Sequence, residues 1–172
     1  RRRIFIDEHD YKYFLMLLQR YLGKNTNVDD RKRRYPNYNG EVDLIAFCLM
    51  PNHFHLFVRF KPLQGFVTLE GVTEDKYICQ QFSNMFNGYT QAYNKMYDRK
   101  GSLFNPRFKR KKVDTTDYFK QLIKYIHLNP VTHGFVKSPD DWKFSSWHSF
   151  ITNQPTKIKR DEALHWFDDL QN

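Results

Sequence analysis

The chain predicts an α+β fold, one antiparallel sheet with helices packed on it. Three patterns carry that expectation. Two apolar runs, Val42 to Met50 and His53 to Phe60, are separated only by Pro51-Asn52, which reads as a hairpin. Three longer segments repeat apolar residues at helical spacing. Polar, turn-rich stretches separate these elements, without internal repeats or low-complexity tracts. With 172 residues the chain suits one compact domain over 1–172, with a C-terminal extension from about residue 139.

Taken in order, Asp7 with Asp10 three residues on predicts a capped first helix carrying Phe14, Leu15, Leu17, Leu18, Tyr21 and Leu22, with Gly23 as its stop. Residues 24–41 are basic and turn-rich and read as a loop. The hairpin follows, then a second loop. A second helix is expected from about Thr73 to Tyr97 on the spacing of Ile78, Phe82, Met85, Phe86, Tyr89 and Met96. Residues 102–113 look extended, with a basic cluster on a strand or its flanks. Asp114 or Thr115 caps a third helix that is expected to run to Leu128 and stop at Asn129-Pro130. The tail holds aromatic residues from Trp142 to Phe150, expected to close the core, and a short helix near 161–170.

Composition narrows the function. Lys and Arg outnumber Asp and Glu by 28 to 19, and the excess is clustered. Arg1, Arg2 and Arg3 open the chain; Arg33 and Arg34 close a run from Arg31; Arg107, Lys109, Arg110, Lys111 and Lys112 form another. Basic patches on an aromatic-rich globular chain point to a polyanionic partner, most simply nucleic acid. No apolar run approaches the ~20 residues of a membrane span, and nothing resembles a signal peptide. Cys48 and Cys79 lie in apolar segments and read as reduced core residues, so a cytoplasmic protein without a membrane partner is expected.

The sharpest local feature is His53-Phe54-His55. Alternation on a strand turns both histidines to one face, expected to leave Phe54, Leu56 and Val58 pointing into the core. Two imidazoles roughly 6–7 Å apart along a strand can converge on one cation; two surface histidines are the commoner explanation of that pattern alone. In the third helix, Phe119, Leu122, Ile123 and Ile126 define the buried stripe. Tyr125 lies about 120° around from its centre, with Gln121 and Asn129 one turn to either side. Each of these residues alone is explained by a boundary tyrosine and a helix-ending asparagine. Together with the histidines they match phosphodiester cleavage, which needs a nucleophile and neutralised phosphate charge. A phenol ionises near pH ~10 and needs a cation or base beside it.

The motifs Pro51-Asn52-His53-Phe54-His55, Gly101-Ser102-Leu103-Phe104, Arg107-Phe108-Lys109, Tyr125-Ile126-His127-Leu128-Asn129-Pro130-Val131 and Phe144-Ser145-Ser146-Trp147 resemble the REP-associated tyrosine transposases, single-tyrosine HUH endonucleases related to insertion-sequence transposases. The resemblance implies a ferredoxin-like sheet, a strand ahead of the first helix that this chain, starting at Arg1, would lack, and Mg²⁺ or Mn²⁺ at His53 and His55. It also implies Asn129 as third ligand, Tyr125 as nucleophile through a 5′-phosphotyrosine, and single-stranded hairpin DNA as partner of a monomer or homodimer. Tyr118, about 10.5 Å back along the helix axis, is read as packing or DNA contact. A non-catalytic hairpin binder and a hydrolase acting through activated water are the competing functions, separated from the first by a covalent DNA adduct.

Overall fold

A computed structural model describes residues 2–22, 42–61, 74–105 and 108–168. Arg1, Gly23, the loop over 24–41 with Arg33 and Arg34, and Arg107 lie outside the described residues. The elements run α1 (Glu8–Leu22), β1 (Val42–Met50), β2 (His53–Phe60), α2 (Glu74–Met96), α3 (Thr116–Thr132), a short 3₁₀ turn (Pro139–Asp141), α4 (Trp147–Ile151) and α5 (Arg160–Asp168). The α+β class expected from the pattern is what these residues form. The chain divides into two compact units, one of Ile4–Val42 and Phe60–Phe108, the other of Arg1–Arg3, Asp43–Arg59 and Lys109–Asn172.

In the first unit, Asp7 caps α1 by accepting the N–H groups of His9 at 2.9 Å and Asp10 at 3.2 Å. The Asp10 carboxylate accepts the Asp7 N–H in return at 3.4 Å, and the Ile6 N–H at 2.7 Å, so the reciprocal cap read from the two aspartates is present. Phe14 meets Tyr89 of α2 edge-on at 5.1 Å, and the Tyr89 hydroxyl donates to the Ile4 carbonyl at 2.6 Å. That bond matters because the phenol is otherwise buried among rings.

The second unit holds the histidine hairpin. A two-residue connection can join only antiparallel neighbours, so Pro51-Asn52 sets the register of β1 against β2. Residues 144–146 also lie against β1: Leu49 N–H donates to Phe144 O at 2.9 Å, Ser146 N–H to Phe47 O at 2.9 Å, and Cys48 bridges Ser145 in antiparallel sense. Ile45, Ala46, Cys48, Met50, Phe57, Phe119, Ile123, Ile126 and Ala163 form the core, with Leu122, Trp142 and Phe150 packed against it. Trp142 thus belongs to core closure, its indole N–H donating to the Leu49 carbonyl at 3.1 Å.

Three expectations need correction. The buried residue of β2 is Phe57, on the same face as the histidines, while Phe54, Leu56 and Val58 are half-buried. Alternation separates two faces but does not say which one a helix will cover; here α3 covers the histidine face, and Phe119 meets Phe57 at 5.0 Å. The stretch 102–113 forms no strand among its described residues, and Lys109 to Lys112 are all exposed. Consecutive charged residues leave no apolar face to hold a strand in register.

The third correction is the end of α3. The helix does not stop at Asn129-Pro130 but continues to Thr132 with Pro130 inside it. Proline forfeits its own N–H and crowds the carbonyl one turn back, yet the turn beyond it is closed by a Schellman cap. Gly134 takes φ +70°, its N–H donates to Val131 O at 2.9 Å, and the Phe135 N–H donates to Pro130 O at 2.9 Å. The true stop signal is Gly134, since a left-handed residue at that position suits glycine best.

Candidate active site

The site is assembled by β2 and α3. Thr115 caps α3 by accepting the Tyr118 N–H at 3.3 Å, and Phe119, Ile123 and Ile126 bury its stripe. Burial of each such side chain contributes roughly 1.5–3 kcal/mol. Rotation about the helix axis is further locked by His127. Its Nε2 lies 2.7 Å from the Ser146 hydroxyl, which also accepts the Phe47 N–H at 2.9 Å. Burial holds the His127 pKa down to about 4, so the ring is neutral near pH 7. With its stripe and His127 turned to the core, α3 presents Tyr125 outward, half exposed at 50%.

His53, His55, Tyr125 and Asn129, singled out from sequence, come together. The rings of His53 and His55 are 5.2 Å apart and nearly perpendicular, and the Tyr125 ring is 5.2 Å from that of His55. Asn129 is fully buried, and its Oδ1 lies 3.1 Å from His53 Nε2. His53 Nδ1 in turn lies 2.7 Å from Asn52 Oδ1. In the tautomer that donates Nδ1–H to Asn52, the Nε2 lone pair faces the Asn129 carbonyl, as a cation held by both would require, and a carbonyl on the far ring nitrogen is how metal-bound histidines are oriented.

One further atom fits the same group: His55 Nε2 is buried with no hydrogen-bond partner. An unsatisfied buried polar atom costs about 1–3 kcal/mol, which ligation through Nε2 would recover for His55. Burial, with the neighbouring His53 and His133, lowers the His55 pKa to about 4, which keeps its lone pair available at neutral pH. The donor set of two imidazoles and an amide oxygen therefore suits a divalent cation.

Sequence reasoning misses three contributors. It gives Asn52 only a turn role and His127 only a place in a motif. It excludes His133 by ending the helix too early; the His133 ring sits 5.5 Å from that of His53. The signal that could find it is Gly134, which as a helix stop leaves His133 within reach of Tyr125 and Asn129 on one flank. Among the expected DNA-binding residues, Arg2, Arg3, Lys109, Arg110, Lys111 and Lys112 are exposed, and the Lys111 ammonium lies 4.2 Å from the centre of the Tyr118 ring. A different carboxylate–imidazole cluster, Asp7, His9 and Asp10, stands at the start of α1; its carboxylates already serve the helix cap.

A paired-histidine strand beside a helical tyrosine, in an α+β unit, is the architecture of the HUH endonuclease fold. The chain belongs to the IS200-like transposase family, whose model matches residues 31–129. It is 25% identical over 108 residues, 62% of this chain and 59% of the relative, to a Haemophilus influenzae protein named as a REP-associated tyrosine transposase. It is 38% identical over 47 residues, 27% of this chain and 28% of the relative, to the REP-associated tyrosine transposase of Escherichia coli. The chain thus matches less than two thirds of the length of either relative. A solved structure of a REP-associated tyrosine transposase bound to a REP hairpin shares the fold, with a TM-score of 0.53 over 85% of this chain and 73% of that one, at 22% identity. No helix among the described residues is long and apolar enough to cross a membrane.

Proposed function

We propose that this chain cleaves and rejoins single-stranded DNA at palindromic hairpins, with Tyr125 as nucleophile and His53, His55 and Asn129 as ligands of Mg²⁺ or Mn²⁺. The observation that carries this is the half-exposed Tyr125 ring 5.2 Å from His55, beside the facing His53 and Asn129 donors. Beyond what a boundary tyrosine explains, Tyr125 stands against an imidazole whose Nε2 is buried without a partner, which supports a chemical role. Family membership supports DNA transposition as the setting, and the hairpin in the solved relative motivates the substrate.

A bound divalent cation supplies Lewis-acid polarisation of the scissile phosphate. The chain's own residues do the rest. The Tyr125 oxygen forms a bond to phosphorus, its proton passes to solvent, and the phosphorus–O3′ bond breaks, the departing oxygen taking a proton from solvent to become a 3′-hydroxyl. The product is a 5′-phosphotyrosine that keeps the phosphodiester's bond energy, so a 3′-hydroxyl can attack it and restore the strand. Lys109, Arg110, Lys111 and Lys112, just ahead of α3, would hold flanking phosphates without reading bases. Incubating protein, cation and a 5′-extended hairpin oligonucleotide should yield an adduct that survives denaturation. Hairpin affinity without any adduct would make the chain a binder instead; cleavage without one would indicate hydrolysis by water.

A further inference from the structure

We propose that Tyr118 is a positioning residue: its ring holds the Lys111 ammonium beside the flank of α3 that carries Tyr125, where Lys111 takes one phosphate of the unpaired DNA strand. The inference rests on the hairpin-cleaving function proposed above and deepens it, by giving the strand a fixed register on the helix. Its basis is the Lys111 Nζ, which lies 4.2 Å from the centre of the Tyr118 ring. Both residues belong to the same compact unit as Tyr125.

Helical register places the pair. Tyr118 and Tyr125 both lie in α3. Their separation falls within about 20° of two full turns, so the two side chains share a flank, about 10.5 Å apart along the axis. Gln121, on the same flank between them, is exposed, as Tyr125 is. A strand laid along this flank with its scissile phosphate at Tyr125 therefore reaches Tyr118 in roughly three nucleotides at a stacked rise of ~3.4 Å, and in fewer where it is extended.

Electrostatics make Lys111 the phosphate donor. Its side chain is exposed, and so are Asp114 and Asp117 near it in sequence. Among the described residues the ammonium pairs with neither carboxylate and rests on the ring. A ring face holds a cation through its quadrupole without neutralising it, so Lys111 keeps its charge for a phosphate. Tyr118 is half-buried and its N–H is tied to the Thr115 cap, so the ring is a fixed platform. A lysine held in place this way loses less rotamer entropy on binding than one free in solvent.

The test uses the full chain and a series of 5′-extended hairpin oligonucleotides in which one phosphate at a time is a neutral methylphosphonate. Affinity is measured in chelator, and the cut is mapped separately with Mg²⁺ or Mn²⁺. One neutral link within about three nucleotides of the cut should weaken binding about threefold to fivefold, the scale of one exposed charge pair. Lys111→Gln should weaken binding of the unmodified hairpin by the same factor and erase the penalty at that link alone. Tyr118→Leu should erase it too, whereas Tyr118→Phe, which keeps a ring face for the ammonium, should preserve it. Melting temperatures check folding, and Tyr118→Met stands in if the leucine variant is not folded. Penalties that persist at every link in Lys111→Gln would overturn the contact. Erasure by Lys111→Gln but not by Tyr118→Leu would overturn the positioning role of Tyr118, and a coupled link far from the cut would overturn the register. Adduct formation separates this proposal from the function it rests on. An adduct with no coupled link leaves Tyr125 as nucleophile and removes the Lys111 contact; a coupled link without adduct does the reverse. No affinity for any hairpin would overturn both.

Discussion

His53 Nε2 and Asn129 Oδ1 face each other at 3.1 Å across the gap between β2 and α3, although 76 residues separate them in the chain. Asn129 is fully buried, so this meeting is part of the folded core rather than a surface coincidence. The way that pair and its neighbours are held has measurable consequences for cleavage, stability and binding.

Tyr125→Phe should abolish the covalent DNA adduct while leaving hairpin affinity and melting temperature close to those of the unmodified chain. The hydroxyl is the only group removed, and the ring that meets His55 stays. Denaturing electrophoresis with labelled oligonucleotide measures the first effect and a thermal melt the second. Tyr118→Phe should keep the adduct. Normal cleavage by Tyr125→Phe would exclude tyrosine as the nucleophile.

Removing His53 or His55 by alanine should stop cleavage with most DNA affinity retained, and chelator should do the same until Mg²⁺ or Mn²⁺ is restored. Asn129→Ala should cut the rate less, an amide being the weaker ligand, but should also lower stability. Its side chain is fully enclosed, so truncation leaves a cavity. Single-turnover rates with and without chelator, alongside urea unfolding, separate the two effects. Cleavage at full rate in excess chelator would leave the histidines a structural role.

Stability should fall as pH drops from about 6.5 toward 4. His127 has a folded pKa near 4, against an ordinary value near 6.5, because burial disfavours its charged form. Between those values the unfolded chain binds the proton and the folded chain does not, so the stabilisation is complete above ~6.5 and lost on acidification. The contribution of this one ring is on the order of 3 kcal/mol. His127→Gln, compared by urea unfolding at pH 7 and pH 4.5, should flatten the dependence. An unchanged pH slope in the variant would assign the acid sensitivity to other groups.

Hairpin binding should weaken steeply with salt, because exposed Lys109, Arg110, Lys111 and Lys112 would release counterions from phosphates. Replacing Lys109, Arg110 and Lys112 with alanine should lower affinity broadly across sequences. It should also flatten the slope of log affinity against log salt by roughly one for each phosphate that is no longer neutralised. A slope that stays the same would remove this cluster from the interface.

Gly134→Ala should destabilise the chain by about 1 kcal/mol, since a side chain at φ +70° is strained even though open space surrounds it. Urea unfolding of the folded variant measures the loss; unchanged stability would show that the cap does not need glycine.

Much of this is open to reading in the residues themselves. The two apolar runs around Pro51-Asn52, the Asp7 and Asp10 cap, the span of α2 and the stripe Phe119, Leu122, Ile123 and Ile126 are local patterns, and local periodicity and capping chemistry are enough to place them. Tyr125 standing off that stripe is likewise a matter of helical angle. Where two local signals compete, the more conspicuous one misleads. Pro130 outweighs Gly134 as the expected end of α3, because the missing N–H of a proline looks decisive until the turn beyond it is seen to be capped.

A strand carrying His53 and His55 on one face and a helix carrying Tyr125 and Asn129 on one flank follow from the residues in order, since backbone geometry alone imposes both. That these two surfaces meet follows from packing across the chain. Which face of β2 is covered depended on Phe57 packing against Phe119, the rotation of α3 on the His127–Ser146 bond to β1, and the orientation of His53 on Asn52 and Asn129. Most of these pairings join residues far apart in the chain, and no periodicity within either segment encodes them. They are selected by burial and by the cost of leaving a buried polar atom without a partner.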